Sequence, residues 1–274
     1  MGCLSSTCLY KVQYGDGSYS TGFLATEKLT ISSSDVFSNF MFGCGQRNVG
    51  LFGRAAGLLG LGRSELSIAI QTEYKYKKLF TYCIPSSSSS STGHLTFGGE
   101  VSRSVKFTPL SPDFEDTPYY GIDIIGISVG GQKLSIAASV FRQAGAVIDS
   151  GTVITRLQPT VYSALKSKFE EFMKDYQKTD GVSVLDTCYD ISDYDTIKVP
   201  KISFSFGGGI EVDIKFSGLV KAFDINGVLK VCLAFAPNDN DGDFAIFGNS
   251  QQVTYDIVHD LTNGRIGFVP DGCS

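Results

Sequence analysis

The chain has 274 residues, of which 42% are hydrophobic and 19% are charged, a composition that suits a sizeable core and argues against disorder. At roughly 150 residues per domain, this length predicts two domains. The formal net charge is −5, which argues against a nucleic-acid partner. No apolar run approaches the roughly 18 residues of a membrane helix, so we expect neither a membrane span nor a membrane partner.

Most of the sequence is predicted to form short β-strands separated by turns. The runs 9–14 and 22–31 flank an Asp-Gly pair, which is typical of a β-hairpin. Residues 55–62 and 244–249 are small, apolar runs with glycine near the end, and each is predicted to be a buried strand followed by a tight turn. One copy lies in each half of the chain, which suggests that the halves have related folds.

One segment has the periodicity of an amphipathic helix. It starts at Pro159, whose missing N–H is not needed in a first helical turn. The apolar positions recur at steps of three and four and form one face, which consists of Tyr162, Leu165, Phe169, Phe172, Met173 and Tyr176. The sequence therefore predicts a mostly β protein with one clear helix.

The chain contains seven cysteines and two histidines. Widely spaced cysteines in a Gly- and Ser-rich β chain indicate disulfides formed in an oxidising compartment, and an odd number leaves at least one cysteine without a partner in the chain. So few histidines do not suit a Ser-His-Asp triad or a zinc site. The acidic run 239–243 fails as a calcium loop, because Pro237 and Gly248 would occupy ligand positions. Neither a metal nor a cofactor is expected.

The strongest candidate for a catalytic site is the tetrapeptide Asp149-Ser150-Gly151-Thr152, which interrupts the apolar run 146–154. A carboxylate between apolar strands is partly desolvated and needs hydrogen-bond donors to stay ionised. The two hydroxyl side chains and the glycine N–H of the tetrapeptide can supply them. The same tetrapeptide is common in ordinary turns, so these residues alone leave a turn and an active site both open.

Five motifs, taken in order, resemble those of the pepsin-like aspartic endopeptidases, and within them the plant nepenthesin-like branch. The matching segments are 14–18 with 21–22, 42–45, 57–62, 149–152, and 245–248 with 265–270. The resemblance runs along essentially the whole chain. It implies a bilobal acid-protease fold, with an incomplete N-terminal lobe at residues 1–110 and a C-terminal lobe at residues 111–274 that holds the predicted helix.

The resemblance also assigns roles to individual residues. The flap hairpin that closes over the substrate would contain Tyr14, Gly15 and Asp16. Asp149 would be a catalytic carboxylate, and the support for its loop would come from Ser150, Gly151 and Thr152. In this family one ionised aspartate takes a proton from water while a second, protonated aspartate donates to the scissile carbonyl oxygen. The implied partner is a peptide or protein substrate, bound in an extended conformation.

One element of the family pattern does not occur in this sequence. Members carry an earlier D-T-G-S-type loop well ahead of the flap, whereas here the flap begins at Tyr14 and neither a D-T-G nor a second D-S-G occurs. The sequence therefore looks like a member without the start of its N-terminal lobe. We expect little or no peptidase activity from this chain alone, and we expect Leu58, Leu59 and Leu61 to lose apolar neighbours.

The cysteines and the cellular location follow from the same resemblance. It implies a Cys188–Cys232 disulfide, further pairs Cys3–Cys8 and Cys83–Cys273, and an unpaired Cys44. It also implies the secretory pathway or the extracellular space, with the vacuole and the plastid as alternatives. The first residues do not have the pattern of a signal peptide.

Two alternatives remain open. A non-catalytic binding or inhibitor protein on the same fold, similar to the plant xylanase inhibitors, would not need the first aspartate, although an intact Asp149 loop and Tyr14 favour an enzyme. Two chains that each donate Asp149 would also provide a pair of carboxylates, but residues 1–110 would have to be displaced. We therefore expect a monomer.

Overall fold

The computed structural model describes residues 2–4, 7–87 and 90–273. The chain divides into two compact units, Met1–Lys77 and Lys78–Ser274. The fold is mostly β, as predicted. The lobe boundary between residues 110 and 111 stays a prediction, and the strands between residues 79 and 109 belong to the second compact unit.

The first unit is built on a four-stranded antiparallel sheet in the order β1-β2-β3-β4. Strands β2 and β3 form the predicted hairpin around the Asp-Gly pair. The elements of this unit are β1 (Gly2–Leu4), β2 (Thr7–Gln13), β3 (Tyr19–Ser32), β4 (Asp35–Val49), α1 (Ile68–Gln71) and α2 (Glu73–Tyr76).

The first unit has few buried apolar side chains. Among its described residues, the buried hydrophobic side chains are Phe37, Ile68 and Ala69. The strand predicted at residues 55–62 is wrong, because this segment has no strand pairing in the described structure. Leu58 and Leu59 are 62% and 52% exposed, and Leu61 is half-buried.

The second unit contains the larger core, and its described residues form four sheets. Their strand orders are β10-β9-β15-β16, β19-β12-β20-β11-β8, β13-β14-β18-β17 and β6-β5-β21-β22-β7. The first strands are β5 (Leu79–Cys83), β6 (His94–Phe97), β7 (Lys106–Pro109), β8 (Tyr120–Ile122), β9 (Ile124–Val129), β10 (Gln132–Lys133), β11 (Ala146–Ile148), β12 (Thr155–Leu157) and β13 (Gln177–Thr179). The remaining strands are β14 (Cys188–Asp190), β15 (Ile202–Phe206), β16 (Ile210–Asp213), β17 (Val220–Ile225), β18 (Val228–Leu233), β19 (Phe235–Pro237), β20 (Ala245–Phe247), β21 (Asp256–Asp260) and β22 (Arg265–Val269).

The helices of the second unit are α3 (Ala138–Ala144), α4 (Pro159–Phe172), α5 (Phe216–Leu219) and α6 (Asn249–Gln252). Short 3-10 turns also occur at Pro112–Phe114 and Gly207–Gly209. Helix α4 begins at the predicted proline and buries Leu165 and Phe169. The expectation of one clear helix is not confirmed, because α3 also forms about two turns and is too short to show a periodic pattern.

The acidic run 239–243 has a structural role at the start of α4. The Asp241 carboxylate accepts hydrogen bonds from the Thr160 N–H at 2.8 Å and from the Thr160 hydroxyl at 2.6 Å. These bonds satisfy one of the free N–H groups of the first helical turn. Hydrogen bonding from the Thr160 hydroxyl, and after it from the backbone, lowers the pKa of Asp241.

Three disulfides are formed, and they join the pairs that the resemblance implied. Cys3–Cys8 and Cys188–Cys232 each link directly opposite positions on paired strands. Cys83–Cys273 joins positions 190 residues apart and ties the end of the chain to β5. Cys44 on β4 is a free thiol.

The second unit also buries a histidine on β21. The His259 ring stacks on Phe80 with 4.3 Å between ring centroids and meets Tyr120 edge-on at 4.5 Å. Burial lowers the pKa of His259 to about 3. The imidazole is therefore neutral in the folded protein at neutral and mildly acidic pH.

We expect the His259→Phe variant to lose part of the pH dependence of stability. The pKa of His259 is about 3 when folded and about 6.5 when unfolded, so unfolding takes up a proton between these values. Wild-type stability should therefore fall as the pH decreases from about 6.5 towards about 3, by up to about 1.4 kcal/mol per pH unit from this residue. Urea unfolding at several pH values measures the slope.

The control for this prediction is Phe204→Leu, which removes a fully buried ring that packs on other phenylalanines and no titratable group. It should lower the free energy of unfolding by a similar amount at every pH. A His259→Phe variant with the wild-type slope would show that the histidine is not the group responsible.

Candidate functional site

The segment 149–154 connects β11 to β12, and β20 lies between these two strands in the sheet. Strand β20 pairs in parallel with β11 and antiparallel with β12. The Asp149 N–H donates to the Phe247 carbonyl at 3.1 Å, which extends the pairing of β11 and β20 into the loop. Gly248 permits this close crossing, because a Cβ there would lie 2.9 Å from the Thr152 carbonyl oxygen.

The Asp149 carboxylate is half-buried and accepts hydrogen bonds from its own loop. The Gly151 N–H donates to Oδ1 at 2.8 Å, and the Thr152 hydroxyl donates to Oδ2 at 2.6 Å. Charge-assisted bonds to both oxygens fix the orientation of the carboxylate. Ser150 holds the loop in another way, because its carbonyl accepts a hydrogen bond from the Asn249 side-chain amide at 3.0 Å.

The sequence placed Asp149 between two apolar strands. In the structure, however, the chain does not form a strand directly after the tetrapeptide. The carbonyl groups of Thr152 and Val153 accept hydrogen bonds from the N–H groups of Asn249 at 2.7 Å and Ser250 at 3.1 Å. These are the first residues of α6, so the loop is bound to the start of a helix and β12 begins only at residue 155. As a result, Val153 is 58% exposed.

Two glutamines of α6 were not identified from the sequence. Gln251 and Gln252 are 1% and 0% exposed. The Gln252 amide donates to the main-chain carbonyl groups of Asp149 and Phe247. The Gln251 side chain accepts from the N–H and hydroxyl of Thr155, where β12 begins, and donates to the carbonyl groups of Gly218 and Ala234. A four-residue helix has no periodic pattern, and a pair of glutamines has no motif. Burial is the property that distinguishes them, and it becomes visible only in the folded chain.

The predicted flap residues Tyr14, Gly15 and Asp16 lie in the turn between β2 and β3, within the first unit. The Tyr14 N–H donates to the Ser18 carbonyl at 2.8 Å and closes the turn. The Asp16 carboxylate accepts from the Ser18 N–H at 2.8 Å and from its hydroxyl at 2.7 Å, and these bonds, the hydroxyl first, lower the pKa of Asp16. Gly17 has a φ of 81°, a left-handed conformation that glycine adopts without strain.

A cavity of about 370 Å³ lies beside this turn in the first unit. Tyr14 lines the cavity and meets Phe52 edge-on, with 5.8 Å between ring centroids. The polar wall of the cavity is formed by three hydrogen-bonded side chains. The hydroxyls of Tyr10 and Ser20 are 2.7 Å apart, and the Ser20 hydroxyl donates to the Asn48 side-chain oxygen at 2.7 Å. The turn therefore presents its tyrosine to a cavity with both apolar and polar walls.

Neither a metal-binding cluster nor a membrane-spanning helix occurs among the described residues. Within them, no three His, Cys, Asp or Glu side chains are grouped so that they could hold a metal ion. No helix of the described part of the chain is long and apolar enough to cross a membrane.

Comparison with known proteins identifies the family. The family described as "Xylanase inhibitor C-terminal" matches residues 119–270, and the one described as "Xylanase inhibitor N-terminal" matches residues 1–99. Across 99% of this chain, an aspartyl protease family protein of Arabidopsis thaliana is 54% identical and aspartic proteinase nepenthesin-2 of Nepenthes gracilis is 35% identical. The chain belongs to the pepsin-like aspartic protease family, in its nepenthesin-like branch.

The chain spans about half to two thirds of these pepsin-like relatives, 57% of the Arabidopsis protein and 62% of nepenthesin-2. A solved structure titled "Crystal structure of edgp" has a TM-score of 0.74 to this chain at 20% identity, and the match covers 98% of this chain and 75% of that one. This likeness confirms the pepsin-like fold that the sequence motifs predicted.

We expect Ser18→Ala to loosen the flap turn. The Ser18 hydroxyl accepts a hydrogen bond from the Leu51 N–H at 3.1 Å while it donates to Asp16. A hydrogen bond contributes about 1 kcal/mol, so its loss should speed amide hydrogen exchange at residue 51 by about fivefold. Exchange measured by NMR tests this, with Ser38→Ala on an exposed position of β4 as the control. Equal exchange in the two variants would contradict the prediction.

Proposed function

We propose that this protein acts as an aspartic-type endopeptidase in which Asp149 is one of two catalytic carboxylates. The observation that carries the proposal is the half-buried carboxylate with a hydrogen-bond donor on each oxygen, from Gly151 and Thr152. A carboxylate held in one orientation can take a proton from a water molecule that attacks a peptide carbonyl. Membership of a family whose named relatives are aspartic proteases supports this reaction.

The reaction needs a second, protonated carboxylate to donate to the carbonyl oxygen. Two carboxylates held close together cannot both ionise easily, and this separates their roles into an acid and a base. The 274 residues contain one D-S-G and no D-T-G, so the family's usual second aspartate is not among them. We therefore propose that this chain alone has little or no peptidase activity and gains it when a second aspartate loop is provided.

The substrate in this proposal is a peptide or protein, and Tyr14, Gly15 and Asp16 form the flap that contacts it. The tightly hydrogen-bonded turn and the place of Tyr14 in a cavity wall support that role. Three disulfides suit an oxidising compartment, so we propose the secretory pathway or the extracellular space as the location. The negative net charge supports a protein that acts without a nucleic-acid partner, and we propose a monomer.

A second candidate is a non-catalytic binding protein on the same fold. The two matched families are described as xylanase inhibitors, and this observation favours the alternative. A binding protein of this kind would associate with a xylanase without using Asp149. Calorimetric titration with a xylanase therefore separates the candidates, because binding that persists in Asp149→Asn would support the inhibitor and absence of binding would support the peptidase.

The test of the peptidase proposal is cleavage of an unfolded protein at about pH 3–5, where one of two paired aspartates is protonated. The chain is assayed alone. It is also assayed after addition of the remaining part of the 54%-identical Arabidopsis relative, the part to which this chain has no match. We expect no cleavage by the chain alone, cleavage by the combination, and loss of that cleavage in Asp149→Asn and with a statine-type inhibitor.

The matched control is Asp239→Asn, at an exposed aspartate away from the loop, and it should keep the activity of the combination. Activity that survives Asp149→Asn would show that another group is catalytic. Cleavage by the chain alone, if it requires Asp149, would show that the 274 residues or a second copy provide the missing carboxylate.

A further inference from the structure

Strand β5 and helix α6 place two buried side chains next to the Asp149 loop. Tyr82 is 8% exposed, and Gln252 is fully buried. The Tyr82 hydroxyl donates a hydrogen bond to Oε1 of Gln252. Because this bond occupies the oxygen of the amide, the nitrogen Nε2 is turned towards the opposite side.

The Nε2 group of Gln252 donates to two main-chain carbonyl groups. One is the Phe247 carbonyl at 2.8 Å, and the other is the carbonyl of Asp149 itself at 3.3 Å. The Phe247 carbonyl also accepts the Asp149 N–H at 3.1 Å. One side-chain amide therefore holds the main chain of Asp149 on both sides, directly at its carbonyl and through a shared acceptor at its N–H.

Tyr82 also interacts with the loop itself. Burial, and after it the charge of Asp149, raises the pKa of Tyr82 well above its usual range. The phenol is therefore a neutral donor over the whole working pH range, and its bond to Gln252 does not change when carboxylates titrate.

We propose that Tyr82 and Gln252 are positioning residues, which set the direction of the Asp149 carboxylate by fixing the main chain of its loop. This inference rests on the proposed function, in which Asp149 reacts. Neither side chain touches the carboxylate oxygens, whose own donors are Gly151 and Thr152. The two donors lie only two and three residues further along the chain. A shift of the main chain at residue 149 would therefore change the geometry of both hydrogen bonds to the carboxylate.

The test compares Tyr82→Phe and Gln252→Met with the wild-type chain by NMR. We expect amide hydrogen exchange at Asp149 to become about fivefold faster in each variant, as follows from the loss of about 1 kcal/mol of hydrogen bonding. We also expect the Gly151 amide proton, which is hydrogen-bonded to the carboxylate, to move upfield. In the complemented cleavage assay kcat should fall about tenfold while KM changes less than about twofold, since substrate contacts are untouched.

The control is Tyr189→Phe, which removes another buried hydroxyl, one without a hydrogen-bond partner in the described structure. Its Asp149 and Gly151 signals should match the wild type. Unchanged signals in both test variants, or the same changes in Tyr189→Phe, would overturn the inference. If Gln252→Met does not fold, Tyr82→Phe decides the outcome, because it deletes a single hydroxyl.

The spectroscopic readout does not depend on cleavage, so the two proposals fail separately. Asp149→Asn that retains activity refutes the catalytic role of Asp149. Asp149 and Gly151 NMR signals that are the same in Tyr82→Phe and Gln252→Met as in the wild type refute the positioning role.

Discussion

The site depends on a crossing of the chain in one five-stranded sheet. Strand β20 lies between β11 and β12, so the chain must leave β11, pass the end of β20 and return on its other side. Beyond the Asp149 N–H, the backbone groups of this crossing lie outside the strand pairing, and those that are buried need another partner. Gly248 leaves the space, the start of α6 binds two loop carbonyl groups, and the Asp149 carboxylate binds the Gly151 N–H and the Thr152 hydroxyl. The reactive geometry is therefore a consequence of how the crossing satisfies its hydrogen bonds.

The two units differ in how they are stabilised. The second has a continuous layer of buried aromatic rings, in which Phe206 stacks on Phe268 and meets Phe247 edge-on. Strand β20, which carries Phe247, is therefore anchored in the core while its end faces the loop. The first unit has long paired strands and few buried apolar side chains, so main-chain hydrogen bonds supply more of its order. Stability of the candidate catalytic loop follows from the second unit's own core.

The sequence allowed the family, the mostly β fold, helix α4, the hairpin and the Asp149 loop to be predicted, because each has a local pattern of spacing or residue type. The first glycine-ended repeat shows the limit of that method. Residues 55–62 and 244–249 are both small, apolar runs with glycine near the end, yet only the second forms a buried strand, since only it has neighbouring strands to pair with. Gln252 and Tyr82 lie 170 residues apart, and no local pattern can reveal a contact at that separation.

The Cys83–Cys273 bond joins positions 190 residues apart, and between them lie β11, the Asp149 loop and α6. Such a closed ring restricts the unfolded chain far more than the folded one. It also changes what a single cut in the backbone can do. A peptide bond broken anywhere between the two cysteines leaves both fragments covalently joined, so a nick in an exposed turn of this unit opens the ring into a longer tethered chain without releasing either piece.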